Sequence, residues 1–183
     1  KRTEVREVIL TGGDPLTLTD RKLAQIFSEL SEASHLRTLR IHTRIPTVLP
    51  SRVSEELLEI LRTSRLIPWV VSHINTHHEL NTRAKEALTK LRKAGIPLLS
   101  QSVLLRGVND STEALKTLFL ALAELGVKPY YLHQLDLAKG THHFRVDLSR
   151  ARSMMAELQG HLPGYCIPKL MVDLPGGLGK VPA

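Results

Sequence analysis

Short apolar segments alternate with amphipathic segments along almost the whole chain, and this order restricts the possible folds more than any other feature. The strand candidates are EVILT, LRTLRIHTR, PWVVSHIN, IPLLSQSVLL, KPYYLHQLD and KLMVDL. Apolar strands separated by helices predict a mainly parallel sheet covered by helices, either a barrel or a doubly wound sheet. Because no repeat or linker interrupts the pattern, we expect one α/β domain over residues 1–183.

The segments between the strand candidates carry helix start and stop signals. Asp20 and Ser54 each precede an amphipathic segment and are placed to cap a helix there. Gly95, Gly126 and Gly160 each follow such a segment. They are predicted to end their helices in the left-handed conformation, which glycine adopts without steric cost.

Charge and composition argue against several classes of protein. The net charge is +7, but Lys and Arg are interspersed with Glu, and aromatic residues make up only 4% of the chain. This pattern disfavours a nucleic-acid-binding module, which needs clustered charge or stacking aromatics. No apolar run approaches the roughly 20 residues of a membrane span, and the charged start is not a signal peptide, so we expect a cytoplasmic protein with no membrane partner.

Cysteine chemistry is limited to one residue. Cys166 is the single cysteine, so disulfides within these residues and cysteine-rich metal sites are excluded. The segment GYCIPKL favours a small buried hydrophobic side chain over a nucleophile.

Polar residues follow the strand candidates, at the edge where parallel α/β sheets bind ligands. The first of these groups, in LTGGDP, is Gly12, Gly13 and Asp14. Paired glycines expose backbone N–H groups, and Asp14 offers a carboxylate for an ammonium or hydroxyl group. Gly-Asp-Pro is equally common in turns, so both interpretations stay open.

Two carboxylates lie at the ends of the last two strand candidates. Asp136 and Asp173 would lie at one edge of a parallel sheet, where they could hold a single cation between them. The alternative makes Asp136 a loop or helix cap and Asp173 a turn residue before Pro175.

Histidines are numerous but poorly spaced for a metal. His73, His77 and His78 lie close in sequence, yet the adjacent pair points in different directions and no cysteine is near. This spacing disfavours zinc. His142 and His143 are interpreted as a solvated loop pair.

Lys180 ends the glycine-rich segment DLPGGLGK. A phosphate-binding P-loop is excluded because Leu174 stands where its first glycine is required and Val181 follows the lysine. A surface lysine and a lysine that forms a Schiff base both remain open.

Taken together, a series of these motifs resembles the lysine 2,3-aminomutase family of radical S-adenosylmethionine (SAM) enzymes, including relatives that make β-lysine for elongation factor P. The series spans nearly the whole chain. It comprises EVILTGGDPL, LRIHTRIPTVLP, HINTHHEL, AGIPLLSQSVLLRGVND, KPYYLHQLD, HFRV, GHLPGYCIPKLMVDLPGG and GKVP.

The resemblance implies roles for individual residues. Lys180 matches the lysine that carries pyridoxal 5′-phosphate (PLP) as an internal aldimine. Asp136 and Asp173 match the carboxylates that bind the ε-ammonium of L-lysine. Gly12, Gly13 and Asp14 match the SAM-binding motif. His73 and Gln101 match residues lining the SAM and PLP pocket, and Arg44 is a candidate partner for a carboxylate or phosphate.

The resemblance also implies a partial (β/α) radical-SAM barrel that uses PLP, SAM and a [4Fe-4S] cluster, with an electron donor as partner. The family's CxxxCxxC motif is missing, so we expect a fragment truncated at the N-terminus, with the cluster ligands outside it and no activity alone. Ser111 replaces a zinc-ligating cysteine of some members, so we expect no metal in this chain.

Three functions are therefore compared. The resemblance favours an aminomutase converting L-lysine to β-lysine, either in free lysine metabolism or for elongation factor P; YYLH and GYCIPKL favour the latter, DLPGGLGK the former. A Schiff-base aldolase using Lys180 and a non-catalytic, degenerate barrel that only binds ligands are the alternatives. The oligomeric state stays open, a homo-oligomer included.

Overall fold

The structure is a computed structural model that describes residues 2–174, 176 and 179–183. Within these residues, seven strands are hydrogen-bonded in sequence order. They are β1 Glu7–Leu10, β2 Thr38–Thr43, β3 Ile67–His73, β4 Leu98–Leu104, β5 Lys128–Gln134, β6 Lys169–Asp173 and β7 Lys180–Pro182. The first six confirm the predicted strands, whereas β7 was not predicted.

The helices alternate with the strands as the sequence pattern predicts. In the described part of the chain they are α1 Asp20–Ser31, α2 Ile45–Val48, α3 Glu55–Arg62, α4 Thr82–Lys93, α5 Thr112–Glu124 and α6 Leu148–Gln159. None of them has the length and apolar character that a membrane span needs.

Helix starts confirm one predicted cap and correct the other. Ser54 accepts a hydrogen bond from the backbone N–H of Leu57, as expected for the residue before α3. The prediction for Asp20 is wrong, because Thr19 has the extended backbone of a cap and its hydroxyl accepts from the N–H of Lys22. Asp20 is instead the first residue of α1, where a negative charge favours the positive end of the helix dipole.

Helix ends follow the glycine prediction at two of three positions. Gly95 and Gly126 have φ values of 77° and 75°, in the left-handed region. Gly160 does not, because its φ of −78° continues the right-handed turn of α6. The N–H groups of His161 and Leu162 both donate to Leu158 O, so helical hydrogen bonding extends past the glycine.

The chain divides into two compact units. Unit 1 comprises Lys1–His73 and Leu80–Leu99, and unit 2 comprises Ile74–Glu79 and Ser100–Ala183. The expectation of one domain over the whole chain stays a prediction.

Unit 1 contains three consecutive parallel strands. β1 pairs with β2 and β2 with β3, so the carboxyl ends of all three point to one edge. Leu39 and Ile41 of β2 are fully buried, and α1 packs beside α3. Residues 12–14, 43–44 and 73 therefore lie at the same edge of this unit.

Unit 2 contains β5, β6 and β7. β5 and β6 are parallel, and β7 returns antiparallel to β6. As a result the carboxyl ends of β5 and β6 and the amino end of β7 share one edge. Phe119 and Leu122 of α5 are buried beneath this unit's surface, and α5 packs against α6.

Candidate functional site

The edge of unit 1 is organised by Asp14. Its Oδ1 accepts hydrogen bonds from Leu16 N at 3.1 Å and from the hydroxyl of Thr43 at 2.8 Å. Its Oδ2 accepts from Arg44 N at 2.7 Å. The carboxylate thus joins the loop after β1 to the end of β2, so in this structure Asp14 shapes the loop that carries the two glycines.

The backbone of the paired glycines is open to a ligand. Gly12 and Gly13 are exposed, and a Cβ atom built on either one would meet no other atom within 4 Å. Gly12 has a φ of 107°, a conformation that residues with a side chain rarely adopt. A ligand can therefore approach these two peptide groups closely.

Arg44 also orients His73 at the end of β3. A guanidinium nitrogen of Arg44 lies 3.0 Å from His73 Nε2. Arginine has only donors, so Nε2 must be the acceptor and the neutral ring must carry its proton on Nδ1. The sequence offered Arg44 as a candidate for binding carboxylate or phosphate; here it also fixes the tautomer of His73.

The internal use of Asp14 leads to a stability prediction. Asp14→Asn is nearly isosteric, but it replaces one acceptor oxygen with an NH2 group. At least one of the three donors, Leu16 N, Thr43 Oγ1 and Arg44 N, would then face that NH2 group and lose its hydrogen bond. We expect the free energy of unfolding to fall by about 1–2 kcal/mol, measured by urea denaturation. An unchanged unfolding midpoint would show that these hydrogen bonds do not hold the loop.

The two predicted substrate carboxylates line a single pocket in unit 2. Asp136 follows β5 and Asp173 ends β6, and both belong to the wall of a cavity of about 690 Å³. Arg145 lines the same cavity. Two carboxylates in one lining can accept hydrogen bonds from a ligand's ammonium group.

Lys180 lies at the same edge of unit 2. It is the first residue of β7 and is directly opposite Asp173 in the antiparallel ladder. Side chains of residues directly opposite each other project from the same face of a sheet. Lys180 is exposed, and its Nζ lies 3.4 Å from His133 Nδ1 on β5. Pro175, Gly177 and Leu178 of the glycine-rich segment lie outside the described residues.

The loop that carries Asp136 is anchored by Gln134, at the end of β5. Gln134 is only 4% exposed, and its Nε2 donates to Val146 O at 2.5 Å. The far end of the loop is held a second time, where Arg106 N donates to Phe144 O at 2.7 Å. Arg145 lies between these anchors, and its only signal in the sequence was the motif HFRV.

Other predicted residues lie apart from this pocket lining. Gln101 is half-buried on β4 in unit 2, and its carbonyl accepts from Ile74 N. Ser111, at the zinc-cysteine position of some family members, accepts from Ala114 N and caps α5. Cys166 is buried, in agreement with its interpretation as a small hydrophobic residue.

The exposed histidine pairs do not assemble a metal site with other residues that the structure describes. The rings of His77 and His78 are 3.9 Å apart, and those of His142 and His143 are 5.7 Å apart. Within 2–174, 176 and 179–183, no group of three or more His, Cys, Asp or Glu side chains is arranged to hold a metal ion.

Comparison with known proteins gives a consistent family of relatives. The chain is 43% identical over 179 residues to L-lysine 2,3-aminomutase of Methanococcus maripaludis, covering 98% of this chain and 41% of that protein. It is 44% identical over 180 residues to L-lysine 2,3-aminomutase of Buchnera aphidicola, covering 98% and 53%. The protein of that name from Escherichia coli is 43% identical, with 98% and 52% covered. The predicted resemblance is thereby confirmed.

The match covers nearly all of this chain but only part of each relative. The chain spans about half the length of the curated relatives it matches, from 41% to 53% in these three. No family model matches the chain.

Solved structures show the same fold. A domain of pyruvate-formate lyase-activating enzyme from Bacteroides vulgatus superimposes with a TM-score of 0.64 at 14% identity, covering 93% of this chain and all of that one. SuiB of Streptococcus suis, solved with S-adenosylmethionine bound, gives 0.65 at 15% identity, covering 92% and 39%. Together with the mainly parallel sheet, they confirm the predicted fold class.

Proposed function

We propose that the protein containing this chain is an L-lysine 2,3-aminomutase that uses PLP and SAM. The relatives that carry this name support the proposal. The observation that carries it is the arrangement in unit 2, where Asp136 and Asp173 line one pocket and Lys180 faces Asp173 across the β6–β7 ladder.

The residues of unit 2 fit PLP. Lys180 offers a primary amine on an exposed strand end, and the amine has a nitrogen acceptor, His133 Nδ1, within 3.4 Å. When bound, PLP would supply the π-system through which an amino group migrates between neighbouring carbons. Lys180 would hold PLP covalently at this edge of the sheet.

Asp136 and Asp173 would bind the far end of the substrate. An ammonium group has three donors and no acceptor, so two carboxylates can share it through charge-assisted hydrogen bonds. Fixing the ε-ammonium restrains the flexible chain of lysine and presents one particular carbon to the reacting groups. The loop anchors at Gln134 and Phe144 keep Asp136 in place for this purpose.

The glycine pair of unit 1 fits the polar end of SAM. Gly12 and Gly13 leave open space where side chains would stand, and Asp14 holds their loop against β2. SAM would supply the radical chemistry that removes hydrogen from the substrate and returns it. The chain's own contribution there is to present backbone N–H groups to the ligand.

The residues present do not fit a [4Fe-4S] cluster. Such clusters are held by cysteine thiolates, and this chain has only the buried Cys166. That the cluster ligands lie outside these residues stays a prediction. The electron donor expected as a partner also stays a prediction.

A cofactor-omission assay tests the proposal. The protein containing this chain is incubated anaerobically with L-lysine, PLP, SAM and a reductant, and β-lysine is measured by chromatography and mass spectrometry. We expect β-lysine to form in the complete mixture. It should not form when either PLP or SAM is left out.

The same assay separates the alternatives. Turnover of lysine that persists without SAM would favour a Schiff-base lyase using Lys180. Binding of PLP and SAM without any turnover, under conditions in which an active relative works, would favour a non-catalytic binding domain. Either result would contradict the proposed function.

A further inference from the structure

His133 is a rigid side chain beside a flexible one. It lies on β5, is only 7% exposed, and pairs in register with Met171 of β6. The ring of Tyr131 meets its ring edge-on, with centroids 5.5 Å apart. Burial, strand register and this aromatic contact together leave the imidazole little freedom to rotate.

Lys180 has no comparable restraint from burial. It is exposed at the start of β7, and four rotatable bonds separate its amine from the backbone. Its Nζ lies 3.4 Å from His133 Nδ1, towards the outer limit of hydrogen-bond distance. An ammonium group can only donate, so Nδ1 is the acceptor and the neutral ring carries its proton on Nε2.

We propose that His133 is a positioning residue for the amine of Lys180. The fixed imidazole accepts a hydrogen bond from the mobile amine and holds it over the sheet face that Asp173 shares. The proposal deepens the proposed function and rests on it, because positioning matters where Lys180 attaches PLP. Neither the motif nor the relatives assign this role to His133.

The chemistry of attachment explains why position counts. Lys180 would lose one proton to solvent and its nitrogen would form a double bond to the aldehyde carbon of PLP. The carbon–oxygen bond of the aldehyde would break, and the oxygen would leave as water with the two remaining amine hydrogens. The attack requires the nitrogen to approach that carbon within a narrow range of directions. An acceptor that selects one set of lysine rotamers therefore raises the fraction of productive encounters.

Two substitutions separate hydrogen bonding from packing. His133→Asn keeps an oxygen acceptor close to the position of Nδ1, whereas His133→Leu keeps the bulk and removes the acceptor. His161→Ala is the matched control, because His161 is an exposed histidine of the same unit. Circular dichroism and urea unfolding verify that each variant folds.

The readout is capture of PLP by the protein containing this chain, without substrate or SAM. Samples are trapped with borohydride at successive times, and labelled Lys180 is quantified by peptide mass spectrometry. We expect His133→Leu to slow labelling about threefold to tenfold, as for loss of one hydrogen bond at long distance, with His133→Asn within about twofold of the unchanged protein. Equal losses in both variants, or no loss in His133→Leu, would overturn the proposal.

A second measurement does not depend on PLP. Nitrogen-15 NMR of the histidine rings in the PLP-free protein should show His133 with its proton on Nε2 and Nδ1 as an acceptor. Lys180→Met should then shift the Nδ1 resonance. No shift would overturn the positioning role even if Lys180 carries PLP. If instead the unchanged protein is never labelled at Lys180, the PLP part of the proposed function fails, and the NMR result alone decides the contact.

Discussion

Lys180→Arg is expected to abolish covalent attachment of PLP and to lower β-lysine formation by at least about a thousandfold, the order seen when a covalent catalytic group is removed. Arginine keeps the positive charge and the length of the side chain, but its guanidinium cannot form the bond to the cofactor aldehyde. Lys180 is exposed, so the substitution should leave the fold intact. Absorbance of bound PLP and the rate of β-lysine formation measure the two effects.

Lys169→Arg is the matched control for that experiment. Lys169 is an exposed lysine at the opposite end of β6 from Asp173 and should carry no PLP. Activity in Lys180→Arg comparable with that of Lys169→Arg, or borohydride labelling of a lysine other than Lys180, would refute the assignment.

Asp136→Asn and Asp173→Asn are each expected to weaken the use of lysine at least about tenfold, since a charge-assisted hydrogen bond contributes about 1.5–3 kcal/mol. Asparagine is almost the same size as aspartate, so the loss reflects charge and not packing. If both groups hold one ammonium, their effects will not simply add in the double variant. kcat/KM for L-lysine, measured for the single and double variants, gives the coupling between them.

Asp147→Asn provides the control for the carboxylates. Asp147 is exposed in the same unit, and as the residue before α6 it makes no side-chain capping hydrogen bond. Ordinary kinetics in either Asp136→Asn or Asp173→Asn, matching this control, would end the hypothesis that the pair binds the substrate ammonium.

Local sequence signals predicted most of the secondary structure because they act over short distances. Ser54 caps α3 and Gly126 ends α5 through hydrogen bonds and backbone angles set within a few residues. The two errors, at the start of α1 and the end of α6, also depend on interactions between neighbouring residues. Thr19 and Asp20 are both good caps and adjacent, and at Gly160 continued helical hydrogen bonding outweighed the preference of glycine for a left-handed end.

Strand β7 was not predicted, for a different reason. Its three residues, Lys180–Pro182, contain a proline and no alternation of apolar and polar side chains. The strand exists because it pairs with β6, and pairing of that kind has no short-range signature. Yet β7 is what sets Lys180 opposite Asp173.

In the candidate site, too, features set by strand order were predictable and contacts made through strand pairing were not. Strand-end positions predicted that Asp136 and Asp173 would lie at one edge, because parallel strands bring their carboxyl ends together. The contacts of Asp14 with Thr43 and of Lys180 with His133 could not be predicted, since these partners are distant in sequence and meet only through strand pairing.

A crystal structure of the protein containing this chain, grown with PLP and L-lysine, tests the central claim most directly. The measured quantity is the distance from the ε-nitrogen of lysine to the carboxylate oxygens of Asp136 and Asp173. We predict both distances at about 2.7–3.2 Å, with continuous density between Lys180 or the substrate amine and PLP. An ε-nitrogen bound away from both carboxylates, or PLP attached at another residue, would contradict the account.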